Sequence, residues 1–252
     1  MTKILLSGSG GHMGQAVARV CEKTSGVEIA AGYDINTNQS SGFPVYTNLS
    51  DVKEEFDVII DFSHPSAFDG LIDYVLETKT PVVICTTGLS DEQRARMNEA
   101  AKTAPIFFSA NMSIGINLII ELACKAAKLL ENNFDIEIIE KHHNQKLDAP
   151  SGTALAIADA VSEAVSYEPE YVYDRHSVRK KRGKTEIGLH AVRGGTIVGE
   201  HDVIFAGTDE VIELKHSATS KEVFAVGAVK AAAFMNGKPS GMYNMKDLIE
   251  NS

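Results

Sequence analysis

The chain is poor in cysteine, in net positive charge and in unbroken apolar sequence, and each shortage removes a class of protein. Its three cysteines, Cys21, Cys85 and Cys124, are odd in number, far apart and without a C-x-x-C pair. Neither a disulfide framework nor a zinc site is expected, and a reducing compartment fits. A formal net charge of -10 argues against nucleic acid or an anionic membrane as a general partner, because an acidic surface is repelled by both. The longest uncharged run, 103–120, is broken by Pro105, Ser109, Asn111, Ser113, Gly115 and Asn117, which is wrong for a membrane span. After Met1, Thr2 and Lys3 only three apolar residues precede a glycine-rich stretch, too few for a signal peptide. A cytoplasmic protein acting on a small molecule is expected. At 252 residues and 44% hydrophobic, the chain has enough apolar material for one large domain or two modest ones.

What is present begins with Ile4-Leu5-Leu6, a short buried-strand signal, followed by Gly8-Ser9-Gly10-Gly11-His12-Met13-Gly14 and a helical stretch over 15–24. The glycines at 8, 11 and 14 depart from the G-x-G-x-x-G spacing, since Met13 stands where that pattern has its last glycine. The physical logic is the same: glycines let backbone N–H groups approach a pyrophosphate at a helix N-terminus. A second strand over 27–32 leads to Asp34, placed to accept hydrogen bonds from the adenosine ribose hydroxyls. Ile35 and Asn36 follow, with no nearby Arg or Lys for a 2′-phosphate, so NADH is favoured over NADPH. Further strands at 58–60, 82–84 and 106–108, with helices over 67–78 and 91–103, complete a βαβ series. Their polar ends, Asp61 to Pro65, Cys85 to Gly88 and Ser109 to Met112, would line the C-terminal edge of a parallel sheet.

The second half opens with helical spacing at Ile116, Ile119, Ile120, Ala123 and Ala127, with Ser113 as the expected cap. Phe134, Ile136 and Ile138 then alternate with Asp135 and Glu137, a half-buried strand that delivers Glu140 and the loop after it. That loop carries His142, His143 and Lys146 and ends at Ser151, the expected cap of a helix continuing over 154–166. Imidazole exchanges protons near neutral pH and lysine offers a compact charge, so the group suggests an anion site beside a proton donor. Backbone donors at Gly152 and Thr153 suit a carboxylate. The competing reading is a set of solvated loop residues. No third ligand accompanies the two histidines at convincing spacing, so no metal is expected.

Two motifs written in the chain, G-x-x-G-x-M-G over 8–14 and E-x-H-H-x-x-K-x-D-A-P-S-G-T over 140–153, resemble those of the dihydrodipicolinate reductase family. The likeness extends over nearly the whole length and includes Asp61-Phe62-Ser63, Thr86-Thr87-Gly88, Arg193-Gly194-Gly195 and Val198-Gly199-Glu200-His201. It implies NAD(P)H-dependent reduction of 4-hydroxy-tetrahydrodipicolinate to tetrahydrodipicolinate and water, in lysine and diaminopimelate biosynthesis. It also implies His142 as acid/base, Lys146 as proton donor, and His143, Ser151, Gly152 and Thr153 as substrate contacts. The cofactor contacts implied are Gly8, Ser9, Gly10, Gly11, His12, Met13, Asp34, Cys85, Thr86, Thr87, Ser109, Ala110, Asn111 and Met112. Cys85 replaces a residue that is commonly glycine, and its side chain either crowds the dinucleotide or faces the core. Lys221 stands where arginine is usual. Other readings weighed are a nicotinamide oxidoreductase acting on an amino acid or a polyol, and a dinucleotide-sensing regulator.

The expected fold is α/β, a Rossmann-like dinucleotide-binding domain over 1–112 and 222–252. An α+β substrate-binding and oligomerisation domain over 113–221 completes it, with a mixed, largely antiparallel sheet from strands at 185–192, 199–205 and 210–216. Helical spacing resumes over 222–235. The resemblance implies a homotetramer built through the substrate-domain sheets. The basic stretch 175–184 is expected as a solvated loop, with a partner-binding patch or substrate steering as alternatives.

Overall fold

A strand buried on both faces must be apolar at successive positions, and the first strand meets that demand. In the structure, a computed structural model that describes residues 1–37 and 41–251, β1 spans Thr2–Ser7. Its Ile4 and Leu6 point into one core and Leu5 into another on the opposite face. The same division recurs in β4 (Val58–Asp61), β5 (Val82–Ile84) and β6 (Pro105–Phe108), where Ile60, Val83 and Phe107 face the first core and Ile59, Ile84 and Ile106 the second. With β2 (Val27–Tyr33), β3 (Val45–Tyr46) and β12 (Gly241–Tyr243) they form a seven-stranded sheet in the order β12-β6-β5-β4-β1-β2-β3. All six pairings are parallel.

Helices cover both faces. On one lie α1 (His12–Lys23) and α6 (Glu222–Met235), whose Ala225, Ala228, Ala231 and Ala232 are fully buried. On the other lie α2 (Phe68–Thr78) and α3 (Asp91–Ala100), the latter opened by a capping box between Ser90 and Gln93. The short strands β3 and β12 were not expected, because two or three residues cannot show alternation and owe their strand character to a neighbour. The helix α1 also begins three residues before its expected start. His12 and Met13 lie in its first turn, and the glycines around them hide the helical signal.

This first unit comprises Met1–Ile114 and Glu222–Ser252, and the second Gly115–Lys221. Helix α4 (Ile114–Leu130) leads into β7 (Asp135–His142), α5 (Gly152–Ala164), β8 (Glu170–Val172), β9 (Glu186–Arg193), β10 (Gly199–Ala206) and β11 (Val211–Ala218). The sheet order is β11-β10-β7-β9-β8. Pairings of β10 with β11 and β7 are antiparallel, whereas those of β9 with β7 and β8 are parallel. The sheet is therefore evenly mixed rather than largely antiparallel. The helix α5 causes this, since a crossover helix returns the chain in the original direction. The inner face, with Ile136, Ile138, Ile187, Leu189, Val203 and Phe205, packs on α4 and α5. The outer face carries Glu137, Lys141, Glu200 and Asp202, with Lys141 bridging Glu200 at 3.0 Å and Asp202 at 3.4 Å.

Candidate active site

In the first unit the turn after β1 has the tightness that excludes side chains. Gly8 has φ +76°, and a Cβ there would lie 2.6 Å from the Phe62 carbonyl oxygen. A Cβ on Gly14 would lie 2.2 Å from the carbonyl oxygen of Gly8. Gly11 caps α1 with no side-chain hydrogen bond, so the first-turn N–H groups at His12 and Met13 are left to an incoming anion. Asp34 is fixed beside this turn: its Oδ2 accepts the Gly10 N–H at 2.9 Å and its Oδ1 accepts the Asn36 N–H at 2.9 Å. The turn and the acid proposed for the cofactor thus come together, and the residues fit a dinucleotide. Ser9 is buried, its Oγ 2.7 Å from where a Cβ on Gly32 would stand.

The parallel order brings the ends of β1, β4, β5 and β6 to one sheet edge. There the fully buried Asp61 accepts hydrogen bonds from Ser7 Oγ at 2.7 Å and Thr86 Oγ1 at 2.6 Å. Thr86 is therefore committed within the protein, while Thr87 and Ala110 are exposed. The Cys85 side chain faces the core, and burial first, then the Asp61 charge, pushes its thiol well above the ordinary value. Met112 is likewise buried in that core, so any dinucleotide contact from either residue falls to backbone atoms. Ser109 and Asn111 organise their own turn, Ser109 Oγ donating to the Asn111 carbonyl at 2.8 Å and Asn111 Oδ1 accepting the Ser113 N–H at 2.9 Å.

In the second unit the alternation of β7 puts Glu140 and His142 on the inner face and Lys141 on the outer. Glu140 is wholly buried and accepts four hydrogen bonds. Arg193 donates Nη1 to Oε2 at 2.7 Å and Nη2 to Oε1 at 2.6 Å, the Ser151 N–H reaches Oε1 at 3.0 Å, and His142 Nδ1 stands 2.6 Å from Oε2. Burial alone would raise this carboxyl. Arg193, His142 and the Ser151 N–H together hold it below the ordinary value. His142 packs edge-on against His201 at 5.3 Å between ring centroids, and His201 Nε2 lies 3.2 Å from Ser151 Oγ. Burial first, then the neighbouring His142, lowers His201 to about 4, so it is neutral near pH 7.

Ser151 caps α5 as expected, its Oγ accepting the Ala154 N–H at 3.2 Å. Lys146 Nζ lies 2.8 Å from Asp148 Oδ1, and this ammonium is the chief cause that holds the Asp148 carboxyl below its ordinary value. Arg193 Nη2 also donates to the Asp148 carbonyl at 2.6 Å, tying the loop to the Glu140 cluster. His143 and Thr153 are half-buried and Gly152 is exposed. Glu140, Arg193 and His201 stand in the sequence without an evident role, and the structure brings them together around His142. The signal was available for Glu140: a carboxylate at an inward position of an alternating strand must have a partner.

The basic stretch 175–184 is a largely exposed loop, as expected, and Arg175, Lys180 and Arg182 within it are also paired with acids of the sheet. Arg175 pairs with Glu137 and Glu186 at 2.6 Å each, and Lys180 with Glu186 at 3.1 Å. Arg182 meets Asp135 and Glu137 at 2.9 Å each, and donates to the carbonyls of Gly183 and Ile136 at 2.7 and 3.0 Å. Glu186 is held down to about 2, chiefly by Arg175. Glu186 on β9 is buried and requires cations, and Glu137 and Asp135 on β7 add less buried partners, a demand that a local charge count does not reveal. Among the described residues no cluster of three or more His, Cys, Asp or Glu could hold a metal ion, and no helix is long and apolar enough to cross a membrane.

Residues 2–112 match the family model described as dihydrodipicolinate reductase, N-terminus, and residues 115–249 the model of its C-terminus. The chain is 54% identical over 250 residues to a 4-hydroxy-tetrahydrodipicolinate reductase of Caldanaerobacter subterraneus subsp. tengcongensis, covering 99% of each chain. It is 53% identical to one of Clostridium tetani, covering 100% of this chain and 98% of that one. Among solved structures, a dipicolinate-bound dihydrodipicolinate reductase from Paenisporosarcina sp. TG-14 superposes with a TM-score of 0.80 at 26% identity, over 97% of both chains.

Proposed function

The chain belongs to the dihydrodipicolinate reductase family, and from that membership we infer that it catalyses the NAD(P)H-dependent reduction of 4-hydroxy-tetrahydrodipicolinate to tetrahydrodipicolinate, with loss of water, in lysine and diaminopimelate biosynthesis. The observation that carries the reading is His142, an imidazole fixed by a buried carboxylate that also pins the N-terminus of α5. The solved relative holds dipicolinate, a planar ring with two carboxylates, which is the chemistry such a site would recognise.

When bound, the reduced nicotinamide supplies the hydride. Glycines 8, 11 and 14 keep the turn open to the pyrophosphate, the first-turn N–H groups of α1 receive its charge, and Asp34 accepts from the ribose hydroxyls. Hydride addition to a conjugated imine leaves an electron-rich atom to be protonated. His142 delivers that proton, Lys146 is a second, cationic donor, and His143, Ser151, Gly152 and Thr153 hold the substrate and its carboxylate. Lys146 exchanges its Asp148 partner for the substrate anion.

NADH is the better cofactor on this reading. The Asp34 carboxylate would repel a 2′-phosphate, and the residue after it is the exposed Ile35 rather than a cation. A homotetramer is favoured by the outer face of the second unit's sheet. Lys141, Lys215, Glu200 and Asp202 alternate in charge there, a self-complementary pattern for a second copy. Three free cysteines agree with a cytoplasmic setting.

The test is steady-state oxidation of NADH and of NADPH, with substrate generated in place from pyruvate and aspartate semialdehyde by the preceding synthase. Substrate-dependent oxidation, faster at limiting NADH than at limiting NADPH, is expected. Folded protein that binds NADH and oxidises neither cofactor overturns the reading. Light scattering on the eluted enzyme should give the mass of four chains.

A further inference from the structure

Glu140 is a charge placed where charge is expensive. It has no exposed surface, yet four donors converge on its two oxygens: two from Arg193, the backbone N–H of Ser151, and His142 Nδ1. Arg193 comes from β9, 53 residues away, in a bidentate fork that neutral side chains cannot reproduce. A simple core would be more stable with apolar residues here, so the arrangement calls for a role beyond stability.

The geometry supplies one. A carboxylate only accepts, so the proton on the His142 ring stands on Nδ1, and Nε2 is the nitrogen left for chemistry. Space at Nε2 is kept by Gly199, where a Cβ would come within 3.1 Å of that atom. The second oxygen of the same carboxylate holds Ser151, and with it the first turn of α5.

We propose that Glu140 is the positioning residue of the reductase reaction, fixing the tautomer and orientation of His142 and registering the carboxylate-binding turn of α5 against that ring, with Arg193 as the cation that keeps it ionised. The inference rests on the reading of His142 as the proton donor and adds the group through which that donor is set. Ionised Glu140 also stabilises the imidazolium that must form before the proton is given up. The other groups packed about the cluster are Arg193 from β9 and neutral His201 from β10 with His216 beside it on β11, while Arg193 also donates to the carbonyl of Asp148, whose carboxylate pairs with Lys146 in the loop. Lys141 lies on the opposite face with Glu200 and Asp202.

The test compares Glu140→Gln, Arg193→Lys and His142→Asn in the full-length enzyme. Nitrogen-15 histidine spectra should show the wild-type His142 proton on Nδ1, lost or exchanging in Glu140→Gln. An amide cannot accept at both positions, so kcat should fall about 100-fold with NADH affinity unchanged. The alkaline limb of the kcat profile should move to lower pH, because the imidazolium has lost its counter-charge. Arg193→Lys should lose about tenfold, since one ammonium replaces a two-pronged fork. Wild-type kcat, pH profile and tautomer in Glu140→Gln overturn the proposal. Should that variant not fold, an Arg193→Lys enzyme with unaltered kcat and profile overturns it equally. Activity retained by His142→Asn would instead remove His142 as the donor. Loss in His142→Asn with wild-type behaviour in the other two would sink the positioning role alone.

Discussion

The glycine turn after β1 and the Glu140 cluster at the end of β7 both stand at strand ends, but they are made of different material. The first is backbone: absent side chains, unpaired N–H groups of a helix start, and one carboxylate that braces the turn. The second is charge withdrawn from water: a buried acid, a guanidinium, two imidazoles and a capped helix. A backbone site is vulnerable to any added atom and largely indifferent to pH. A charge site is vulnerable to the loss of any one partner and answers to pH, because desolvated groups are held in one protonation state by their neighbours.

The largest effect expected from this contrast is at His142. Replacing it with Ala should lower kcat by roughly 10²–10⁴-fold, the usual contribution of a positioned acid, while fluorescence titration shows NADH binding intact. Weakened NADH binding in that variant would mean that the two sites are not built independently.

His201 sharpens the pH half of the comparison. Its folded value is about 4 against an ordinary 6.5, so between these the unfolded chain binds a proton that the native protein refuses. Its contribution to stability is complete above pH 6.5 and is lost as pH falls towards 4, amounting to about 3 kcal/mol. Urea melts of wild type and His201→Phe at neutral and acid pH should differ in slope. Parallel slopes would show that burial does not hold this ring neutral.

Gly14→Ala tests the backbone half. Alanine gains about 1 kcal/mol in helix propensity, but its Cβ would lie 2.2 Å from the Gly8 carbonyl oxygen, an overlap costing roughly 1–3 kcal/mol as the turn opens. The clash should win, lowering stability and NADH affinity together and leaving the kcat pH profile in place. The smallest expected change is at Asp34. Its replacement by Ala should weaken NADH binding about tenfold and narrow the gap to NADPH, and an unaltered dissociation constant would end its ribose assignment.

The same contrast explains which parts could be read in advance. Ile4-Leu5-Leu6, Val58-Ile59-Ile60 and Val82-Val83-Ile84 are legible as buried strands because helices cover both faces of their sheet, and continuous apolar sequence is the direct record of that burial. Helix α6 was expected over 222–235 and forms there. Ser151 was expected to cap α5, and its hydroxyl does so. The strands β3, β8 and β12 were missed, since a two- or three-residue strand is defined by its neighbour. The ion pairs of Arg175 and Arg182 are not legible in the sequence, because their acids, Glu137 and Asp135, lie 38 and 47 residues away.

By itself the sequence determined where chains turn tightly, which stretches are buried on two faces, where helices are capped, and that histidines and a lysine gather in one short stretch. All of these depend on residues close together in the chain, where sterics and local hydrogen bonds act directly. Only the tertiary structure decided that β9 runs parallel to β7, bringing Arg193 onto Glu140 and so giving His142 its orientation. Partners separated by 53 residues are joined by sheet register, and register follows from the burial of whole faces rather than from the few residues that do the chemistry.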